Sequence, residues 1–255
     1  MAEAERMLPS MRLDGLRALV TGAGRGIGRG CALALAEAGA EVVAAARTGP
    51  ELDSLVAEIA GKGGRAEARV CDVTDGDAVR RLFAGLGRLD VLVNNAGTAV
   101  PGPFLELDEA GLDLMLDLNC RAATLVAQAA ARLMAAQGSG VIVNLSSTYG
   151  KVGRQGNAVY AASKHYIEGL TKSLAVELGP KGVRVVAVGP TIVDTPLTHA
   201  RLMDPVYGPE MVSRIPLGRA GQVQDVVGAV VFLASPAAAL ITGTTLMIDG
   251  GWTAQ

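Results

Sequence analysis

The sequence predicts an α/β fold: a single domain with a doubly wound, seven-stranded parallel sheet flanked by helices. Short apolar runs alternate with longer helical patterns through most of the 255 residues. These runs are mostly apolar on both faces, as are strands buried in a parallel sheet. No proline-rich or serine-rich linker divides the chain. Strands that alternate with helices imply right-handed crossovers between parallel neighbours, and therefore this fold class.

Each predicted strand is a short apolar run between two helical patterns. In chain order, the predicted strands are Arg17–Thr21, Glu41–Ala46, Arg65–Cys71, Val91–Asn94, Val141–Leu145, Arg184–Val188 and Thr245–Ile248.

The predicted helices carry local start and stop signals. Thr48-Gly49-Pro50-Glu51 has the spacing of a capping box with proline in the first turn. Gly138 and Gly179 stand where helices should end. The predicted helices lie near Ile27–Ala38, Pro50–Ala60, Asp75–Leu86, Leu107–Gln137, Asn157–Gly179 and Val223–Ala234.

Two segments fall outside this alternating pattern. Residues 1–14 are expected to form a flexible extension that precedes a domain of residues 15–255. The segment of about 196–216 contains four prolines between the sixth strand and the last helix. It is too long for a plain connector, and it follows the strand end at which such folds bind ligands. We therefore expect it to form a substrate lid.

Composition excludes several classes of protein. The formal net charge of −2 gives no electrostatic reason to expect nucleic acid or an acidic membrane surface as a partner. Cys31, Cys71 and Cys120 lack CxxC spacing, and their odd number argues against a disulfide framework. No apolar run reaches the length of a membrane span, and no signal-peptide pattern opens the chain. We expect a cytoplasmic protein. His165 and His199 are placed wrongly for a triad or a metal site, so no metal is expected.

A tyrosine and a lysine are spaced to share one face of a helix. Tyr160 precedes Lys164 by four residues, and Ser147 lies thirteen residues before Tyr160. A nearby cation stabilises the phenolate and lowers the pKa of the phenol towards that of a working proton donor. Ser147 is then placed to hold a carbonyl or hydroxyl oxygen while Tyr160 exchanges the proton. These residues indicate redox chemistry at a C–O bond, provided that a dinucleotide carries the hydride.

A glycine pattern after the first strand supplies a site for such a dinucleotide. Gly22, Gly26 and Gly28 follow a strand and open a helix, with Arg25 and Ile27 between them. Glycines let the backbone turn tightly and approach a pyrophosphate, which sits over the positive end of the helix. The spacing G-x-x-x-G-x-G differs from the more familiar G-x-G-x-x-G.

The end of the second strand indicates which dinucleotide is preferred. Enzymes that use NAD usually place an acid here to accept a hydrogen bond from the ribose 2′-hydroxyl, whereas arginine accommodates a 2′-phosphate. This chain has Ala46 at that position, followed by Arg47, and Arg25 could add a second cation. The pattern favours NADP(H); the alternative is that Arg47 is an ordinary surface residue.

Two further strand ends could contact the cofactor. Asp72 and Val73 follow the third strand, so Asp72 could accept from the adenine amino group or could cap the next helix. Asn94, Asn95, Ala96 and Gly97 end the fourth strand, where the asparagines could line the cofactor or satisfy backbone groups in a turn.

Together these motifs resemble the short-chain dehydrogenase/reductase family, from about Arg17 to Trp252. The resemblance implies a Rossmann fold. Within the family the chain is most similar to the carbonyl and xylulose reductases, through Ala46-Arg47-Thr48 with Leu52-Asp53-Ser54-Leu55-Val56, and through Ile215-Pro216-Leu217-Gly218. The motifs that carry the family likeness are Thr21-Gly22-x-x-x-Gly26-x-Gly28, Asn94-Asn95-Ala96-Gly97, Ser147, Tyr160-x-x-x-Lys164 and Ile248-Asp249-Gly250-Gly251.

The resemblance also implies residue roles. Tyr160 would be the general acid and base, and Lys164 would lower its pKa while bonding the nicotinamide ribose. Ser147 would orient the substrate oxygen, and Asn119 would hold a water that links Lys164 to solvent. Pro190 to Thr195 matches a cofactor segment in which Thr195 would bind the carboxamide; Thr191 replaces the usual glycine. The implied cofactor contacts are Gly22, Arg25, Gly26, Ile27, Gly28, Arg47, Asp72, Val73, Asn94, Ala96, Gly97, Tyr160, Lys164, Pro190 and Thr195.

Substrate walls are expected from Tyr149, Arg154, Asn157 and the lid, whose mixed polarity favours a small polar carbonyl or a sugar. The leading hypothesis is an NADP(H)-dependent oxidoreductase that interconverts a ketone or aldehyde and an alcohol. The alternatives are a 3-oxoacyl-carrier-protein reductase and a non-catalytic cofactor-binding regulator.

The resemblance also implies a homotetramer. Its contacts would be formed by the helices Leu107–Gln137 and Asn157–Gly179 and by the segment Thr245–Trp252.

Overall fold

The computed structural model of the protein describes Met7 and residues 9–255. The described chain forms one seven-stranded parallel sheet in the order β3-β2-β1-β4-β5-β6-β7, which confirms the predicted fold class. The strand order reverses between β1 and β4, and a crevice opens at such a point beyond the carboxyl ends of the strands. The strands are β1 Arg17–Thr21, β2 Glu41–Ala46, β3 Arg65–Val70, β4 Val91–Asn94, β5 Gly140–Leu145, β6 Val183–Pro190 and β7 Thr245–Ile248.

Helices cover both faces of the sheet. The helices are α1 Gly26–Glu37, α2 Gly49–Gly61, α3 Gly76–Ala84, α4 Glu109–Leu116, α5 Ala123–Gln137, α6 Ala158–Leu178, α7 His199–Leu202, α8 Tyr207–Ser213 and α9 Val223–Ala234. One core joins α1, α2 and α9 to the sheet, and a second joins α3, α5 and α6 to its opposite face. Both cores consist mainly of Ala, Val, Leu and Ile, because the sequence is poor in aromatic residues.

The predicted helix Leu107–Gln137 differs from the structure in two ways. It begins at Glu109, because the Asp108 side chain caps it and accepts from the Gly111 N–H at 2.8 Å. A π-helical turn, Asp117–Ala122, then separates α4 from α5. A π turn adds one residue to the helical repeat and is frequent at functional sites. This turn contains Asn119.

Two predicted local signals have different outcomes. Gly138 ends α5 in the left-handed region, with φ of 73°, as predicted. The predicted capping box at Thr48 is wrong, because the Thr48 side chain makes no capping bond. The Glu51 carboxylate instead lies against the glycine loop, where a Cβ on Gly24 would come within 2.3 Å of its oxygen.

The expected extension of residues 1–14 falls partly outside the described residues. Within them, Leu13 is fully buried in the core and its N–H donates to the Ala38 carbonyl at 2.8 Å. The folded domain therefore includes residues before 15.

The segment of residues 196–216 contains α7 and α8. Met211 and Ile215 from this segment are buried in a third, smaller cluster with Tyr149 and Trp252. The segment is thus packed onto the domain beside the carboxyl end of β6.

Candidate active site

Hydrogen bonds fix the crevice between β1 and β4. The fully buried hydroxyl of Thr21 accepts from the N–H groups of Asn95 at 3.0 Å and Ala96 at 3.2 Å. The Asn95 side chain donates back to the Thr21 carbonyl at 2.8 Å. These bonds join the carboxyl ends of two parallel strands and shape the floor of the crevice. Sequence reasoning gave Thr21 and Asn95 no separate role, although both lie in motifs that it identified.

The glycine loop leaves no room for side chains where it approaches the crevice. Gly22 and Gly26 have φ of 65° and 56°, a region that favours glycine. A Cβ on Gly28 would lie 2.3 Å from the Gly22 carbonyl oxygen. The first turn of α1 contains no acidic residue, and no side chain caps it. A helix start of this kind fits the pyrophosphate of a dinucleotide.

Two charged residues, Arg47 and Asp72, follow the carboxyl ends of β2 and β3. Arg47 is exposed, and it makes no ion pair within the described residues. Asp72 accepts from the N–H and hydroxyl of Thr74 at 3.0 and 2.7 Å through a single oxygen, Oδ1. Burial alone would raise the pKa of Asp72, but these bonds and the charge of Arg47 keep it below its usual value. Asp72 does not cap α3, because Asp75 does, through the Asp77 N–H. The capping alternative for Asp72 is therefore wrong.

The Asn94 side chain turns away from the crevice. Its Nδ2 donates to the Ala123 carbonyl at 2.9 Å and to Asn144 Oδ1 at 3.1 Å, and Asn144 donates to Thr171. The expectation that this side chain lines the cofactor is wrong. It joins β4, β5 and α5 because it occupies an inward position of a strand buried on both faces.

The three expected catalytic side chains meet at the ends of β5 and α6. Ser147 follows β5, and its hydroxyl accepts from the Tyr149 N–H at 3.2 Å. Tyr160 lies in the first turn of α6, and the Ser147 side chain is close enough to its hydroxyl to affect the pKa of the phenol. Lys164 lies one turn later, with its ammonium 5.7 Å from the centre of the Tyr160 ring. The lysine is buried and donates to the Leu145 carbonyl at 2.7 Å.

Burial controls the ionisation of Tyr160 and Lys164. Burial raises the pKa of Tyr160, and the nearby Ser147 hydroxyl opposes the increase only in part. It also lowers the pKa of Lys164 to about 8. In this structure the ammonium of Lys164 donates to the Leu145 carbonyl rather than to the tyrosine, so its effect on the pKa of the phenol stays a prediction.

The Asn119 side chain hydrogen bonds to both the segment after β4 and α6. Its Oδ1 accepts from the Thr98 N–H at 2.8 Å, and its Nδ2 donates to the Thr98 carbonyl at 2.8 Å and to Ser163 Oγ at 3.1 Å. A Cβ on Gly97 would lie 3.2 Å from Asn119 Oδ1 and 3.8 Å from Lys164 Nζ. The Asn119 side chain and the lysine ammonium thus both border Gly97, but the hydrogen-bonding groups of Asn119 bind protein.

The segment after β6 closes the crevice from the other side. Pro190 ends β6, and Thr195 lies opposite the glycine loop, where a Cβ on Gly26 would be 3.5 Å from it. The Thr195 hydroxyl pairs with that of Thr198 at 3.0 Å. Thr191, which replaces the family's glycine, has a buried hydroxyl with no partner among the described residues.

Aromatic rings form the wall beside the catalytic hydroxyl. Tyr149 makes edge contacts, at 6.1 Å between ring centres, with both Tyr160 and Trp252. Burial raises the pKa of Tyr149 to about 12, so it stays neutral. Asn157 is buried just before α6, and its Nδ2 donates to the Gln155 carbonyl at 3.3 Å. The structure brings Tyr149 and Tyr160 together as predicted and adds Trp252, which sequence reasoning did not assign to the wall.

Known proteins resemble this chain over nearly its whole length. A family model described as enoyl-(acyl carrier protein) reductase matches residues 22–253. The L-xylulose reductase of Bos taurus is 45% identical over 245 residues, which cover 96% of this chain and 99% of that protein. Carbonyl reductase 2 of Sus scrofa, named as an NADPH enzyme, is 40% identical over 246 residues, which cover 96% and 99%. A solved structure of gluconate 5-dehydrogenase from Burkholderia cenocepacia J2315, in complex with NADP and tartrate, has a TM-score of 0.93 at 36% identity and covers 98% and 100%.

The chain belongs to the short-chain dehydrogenase/reductase family. This confirms the family indicated by the motifs. As a short-chain dehydrogenase/reductase, the chain is an oxidoreductase that acts on CH–OH or carbonyl groups and uses a nicotinamide dinucleotide. None of the described helices is both long enough and apolar enough to cross a membrane.

Proposed function

We propose that this short-chain dehydrogenase/reductase is an NADP(H)-dependent reductase of small polyhydroxylated ketones or aldehydes. The observation that carries the proposal is the meeting of Ser147, Tyr160 and buried Lys164 at the ends of β5 and α6, in a crevice whose β2 end carries Arg47. The dinucleotide, when bound, exchanges a hydride with the substrate carbon. The residues proposed to hold it are Gly22, Arg25, Gly26, Ile27, Gly28, Arg47, Asp72, Val73, Ala96, Gly97, Tyr160, Lys164, Pro190 and Thr195, with Asn94 contributing backbone only.

The proton moves through Tyr160. Ser147 binds the substrate oxygen and holds it near the phenol, which is the geometry that general acid catalysis requires. In reduction, Tyr160 donates its proton to the oxygen of the carbonyl as the carbon is reduced; in oxidation it takes the proton from the alcohol. A raised pKa keeps Tyr160 protonated at neutral pH, as a proton donor must be. Lys164 would stabilise the phenolate that forms, and it would donate to the ribose of the dinucleotide when that is bound.

The proposed preference for NADP(H) depends on two positions after β2. Ala46 cannot accept from a ribose hydroxyl, so NAD lacks a bond that an acid would supply. Arg47 is exposed and unpaired among the described residues, so it can form charge-assisted bonds with a 2′-phosphate. The exposed Arg25 in the glycine loop can add to this charge. The names of two relatives, one specifying NADPH and one specifying bound NADP, support the same preference.

Coenzyme kinetics test the proposal. We expect kcat/KM for NADPH to exceed that for NADH by about 10–150-fold, because one charge-assisted bond contributes roughly 1.5–3 kcal/mol. The substrates are a panel of ketoses, simple ketones and acyl thioesters, and turnover of ketoses is expected. The double variant Ala46→Asp/Arg47→Leu should reverse the preference. Equal or NADH-favoured values in the wild type would reject Arg47 as a phosphate ligand, and turnover of acyl thioesters alone would reject the substrate class.

The proposed substrate class follows from the polar lining of the pocket and from the relatives. Tyr149 packs with Met211 and Ile215 of the lid, Arg154 pairs with Glu210 of the lid, and Asn157 is buried just before α6. We propose that these three side chains line the substrate pocket together with the lid of residues 196–216, and they combine aromatic surface with hydrogen-bonding groups. The relatives are named for xylulose and gluconate, which are hydroxylated carbon chains.

We further propose a homotetramer in the cytoplasm. A groove of about 530 Å³ runs between α5 and α6 and is lined by side chains such as Leu170 and Leu174. On β7, Leu246 remains 38% exposed. Two-fold copies that pair α5 and α6, and then β7, would cover both surfaces. The cytoplasm suits an odd number of free cysteines.

A further inference from the structure

A cluster of arginines surrounds Tyr207 at the edge of the proposed substrate pocket. The guanidinium carbons of Arg201 and Arg154 lie 4.2 and 5.5 Å from the centre of the Tyr207 ring. Arg154 precedes α6, whereas Arg201 lies on α7 and Tyr207 begins α8. The lid and the loop before α6 therefore meet at this ring.

Arg154 is the buried member of the cluster. Its side chain is only 11% exposed, and its Nη2 donates to Glu210 Oε2 at 3.1 Å. Its Nη1 is buried and has no acceptor among the described residues. A buried charged donor without an acceptor is unfavourable, and protein interiors rarely leave one unsatisfied. An acceptor supplied by a ligand would satisfy it.

The cluster has an excess of positive charge. Glu210 pairs with both Arg154 and Arg214, and Arg201 lies against the same Tyr207 ring as Arg154, so three guanidinium groups face two carboxylates, those of Glu210 and Asp204. The nearby Asp204 is bonded to the N–H groups of Val206 and Tyr207. The lid thus leaves a net positive charge beside the pocket.

The cluster is close to the catalytic tyrosine. Tyr207 and Tyr160 both pack against the buried cluster that contains Tyr149. Burial raises the pKa of Tyr149, and the charge of Arg154 opposes that increase in part; the Tyr149 ring is in edge contact with Tyr160. Arg154, at the Tyr207 ring, and the proton donor thus border the same aromatic cluster. A substrate of several carbons would span that separation, with its reacting carbon at Tyr160 and its far end at Arg154.

We propose that Arg154 binds the terminal carboxylate of the substrate, so that the preferred substrates are hydroxylated or keto sugar acids. This inference rests on the reductase function proposed above and adds the substrate class to it. A guanidinium fork matches a carboxylate; Glu210 accepts from Nη2 alone, which leaves the buried Nη1 as the donor that a ligand would pair with. Beside the existing carboxylate of Glu210, a single negative charge is better accommodated than the two charges of a phosphate ester.

Matched acid and polyol pairs test the proposal. The probes are gluconate with glucitol and xylonate with xylitol, which differ in a carboxylate against a hydroxymethyl group. Each is measured as a substrate with NADP⁺ and as a competitive inhibitor of L-xylulose reduction. We expect each acid to exceed its polyol in kcat/KM or in inhibitory affinity. Arg154→Leu should reduce that ratio by about 10–150-fold, mainly through KM or Ki. Arg154→Lys, which keeps the charge without the fork, should restore part of it.

Arg214→Leu is the matched control, because it removes the same charge from the exposed side of Glu210. The acid-to-polyol ratio should change less than about twofold in this variant. Equal ratios for acid and polyol in the wild type, an equal loss for both in Arg154→Leu, or tighter inhibition by xylulose 5-phosphate than by the acids would overturn the inference. Failure to reduce any carbonyl compound would instead reject the proposed function.

Discussion

At the scale of single residues, the spacing of motif residues predicted which side chains meet in the active site better than it predicted where the asparagine side chains point. Tyr160, Lys164 and Ser147 meet as expected, because four residues is one helical turn and Ser147 follows a strand that ends at the same edge. Asn94 and Asn119 lie in the predicted places but bind other protein groups. Their partners, Ala123 and Thr98, are more than twenty residues away along the chain. No local pattern specifies such contacts.

The lowered pKa of Lys164 predicts a pH dependence of cofactor affinity. Burial lowers this pKa to about 8, so the ammonium is charged below that pH and neutral above it. We expect the dissociation constant of NADPH to increase as pH rises through about 8, because a neutral amine is a weaker donor to ribose hydroxyls. Fluorescence titration of NADPH between about pH 6.5 and 9.5 measures this.

The Lys164→Met variant should bind NADPH more weakly and without that pH dependence. Lys172→Met, which removes an exposed lysine from the same helix, should keep the wild-type curve. The assignment to Lys164 would be wrong if Lys164→Met retained the same change in affinity near pH 8.

At the scale of secondary-structure elements, the apolar periodicity predicted where each strand begins and ends to within about two residues of the structure. It did not predict the π turn at Asp117–Ala122, since one extra residue leaves the apolar pattern of a helix almost unchanged. Nor did it predict how α6 is attached behind the active site. Glu168, one turn beyond Lys164, is buried and accepts from Ser146 and Thr245 at 2.5 Å and from Lys151. This carboxylate joins α6, β7 and the segment that carries Ser147.

Replacing Glu168 should destabilise the domain. Glu168→Ala leaves three donors without their acceptor, and we expect a loss of at least about 2 kcal/mol in the free energy of unfolding. That loss corresponds to roughly 4–8 °C in Tm for a chain of this size. Urea denaturation and thermal melts measure it. Glu106→Gln, at an exposed position, is the control and should change little.

The pH dependence of stability tests the same Glu168 carboxylate in a second way. Burial alone would raise the pKa of Glu168, but its bonds with Lys151, Ser146 and Thr245 bring it below the ordinary value of 4.5. Its stabilising effect is therefore full above pH 4.5 and is lost as pH falls through the lowered pKa. The difference in stability between the wild type and Glu168→Gln should shrink in that range. A constant difference down to the acid transition would contradict an ionised Glu168.

At the scale of the whole molecule, the alternation of strands and helices was enough to predict a doubly wound sheet. Crossover handedness and short connections leave few other arrangements of such a pattern. The sequence pattern does not predict contacts between copies of the chain in the same way, because an alanine-rich helix face can pack equally well against a sheet or against another subunit. The groove between α5 and α6 is the feature on which the proposed association depends.

Light scattering tests the assembly. At micromolar concentration we expect a species of about four times the chain mass of 26.0 kDa, or at least a dimer. Leu170→Asp places a charge in the α5–α6 groove and should reduce the mass. Leu105→Asp, at a 96% exposed position outside the groove, should not. A stable wild-type species of the chain mass would contradict the proposed tetramer.

The most direct measurement of the central claim is the turnover of Tyr160→Phe in NADPH-dependent reduction of L-xylulose. This substitution removes only the hydroxyl that is proposed to donate the proton, so the dissociation constant of NADPH should stay within a few-fold of the wild-type value. General acid catalysis contributes about 10²–10⁴-fold, and kcat should fall by that factor. Turnover within a few-fold of the wild type would show that Tyr160 does not donate the proton.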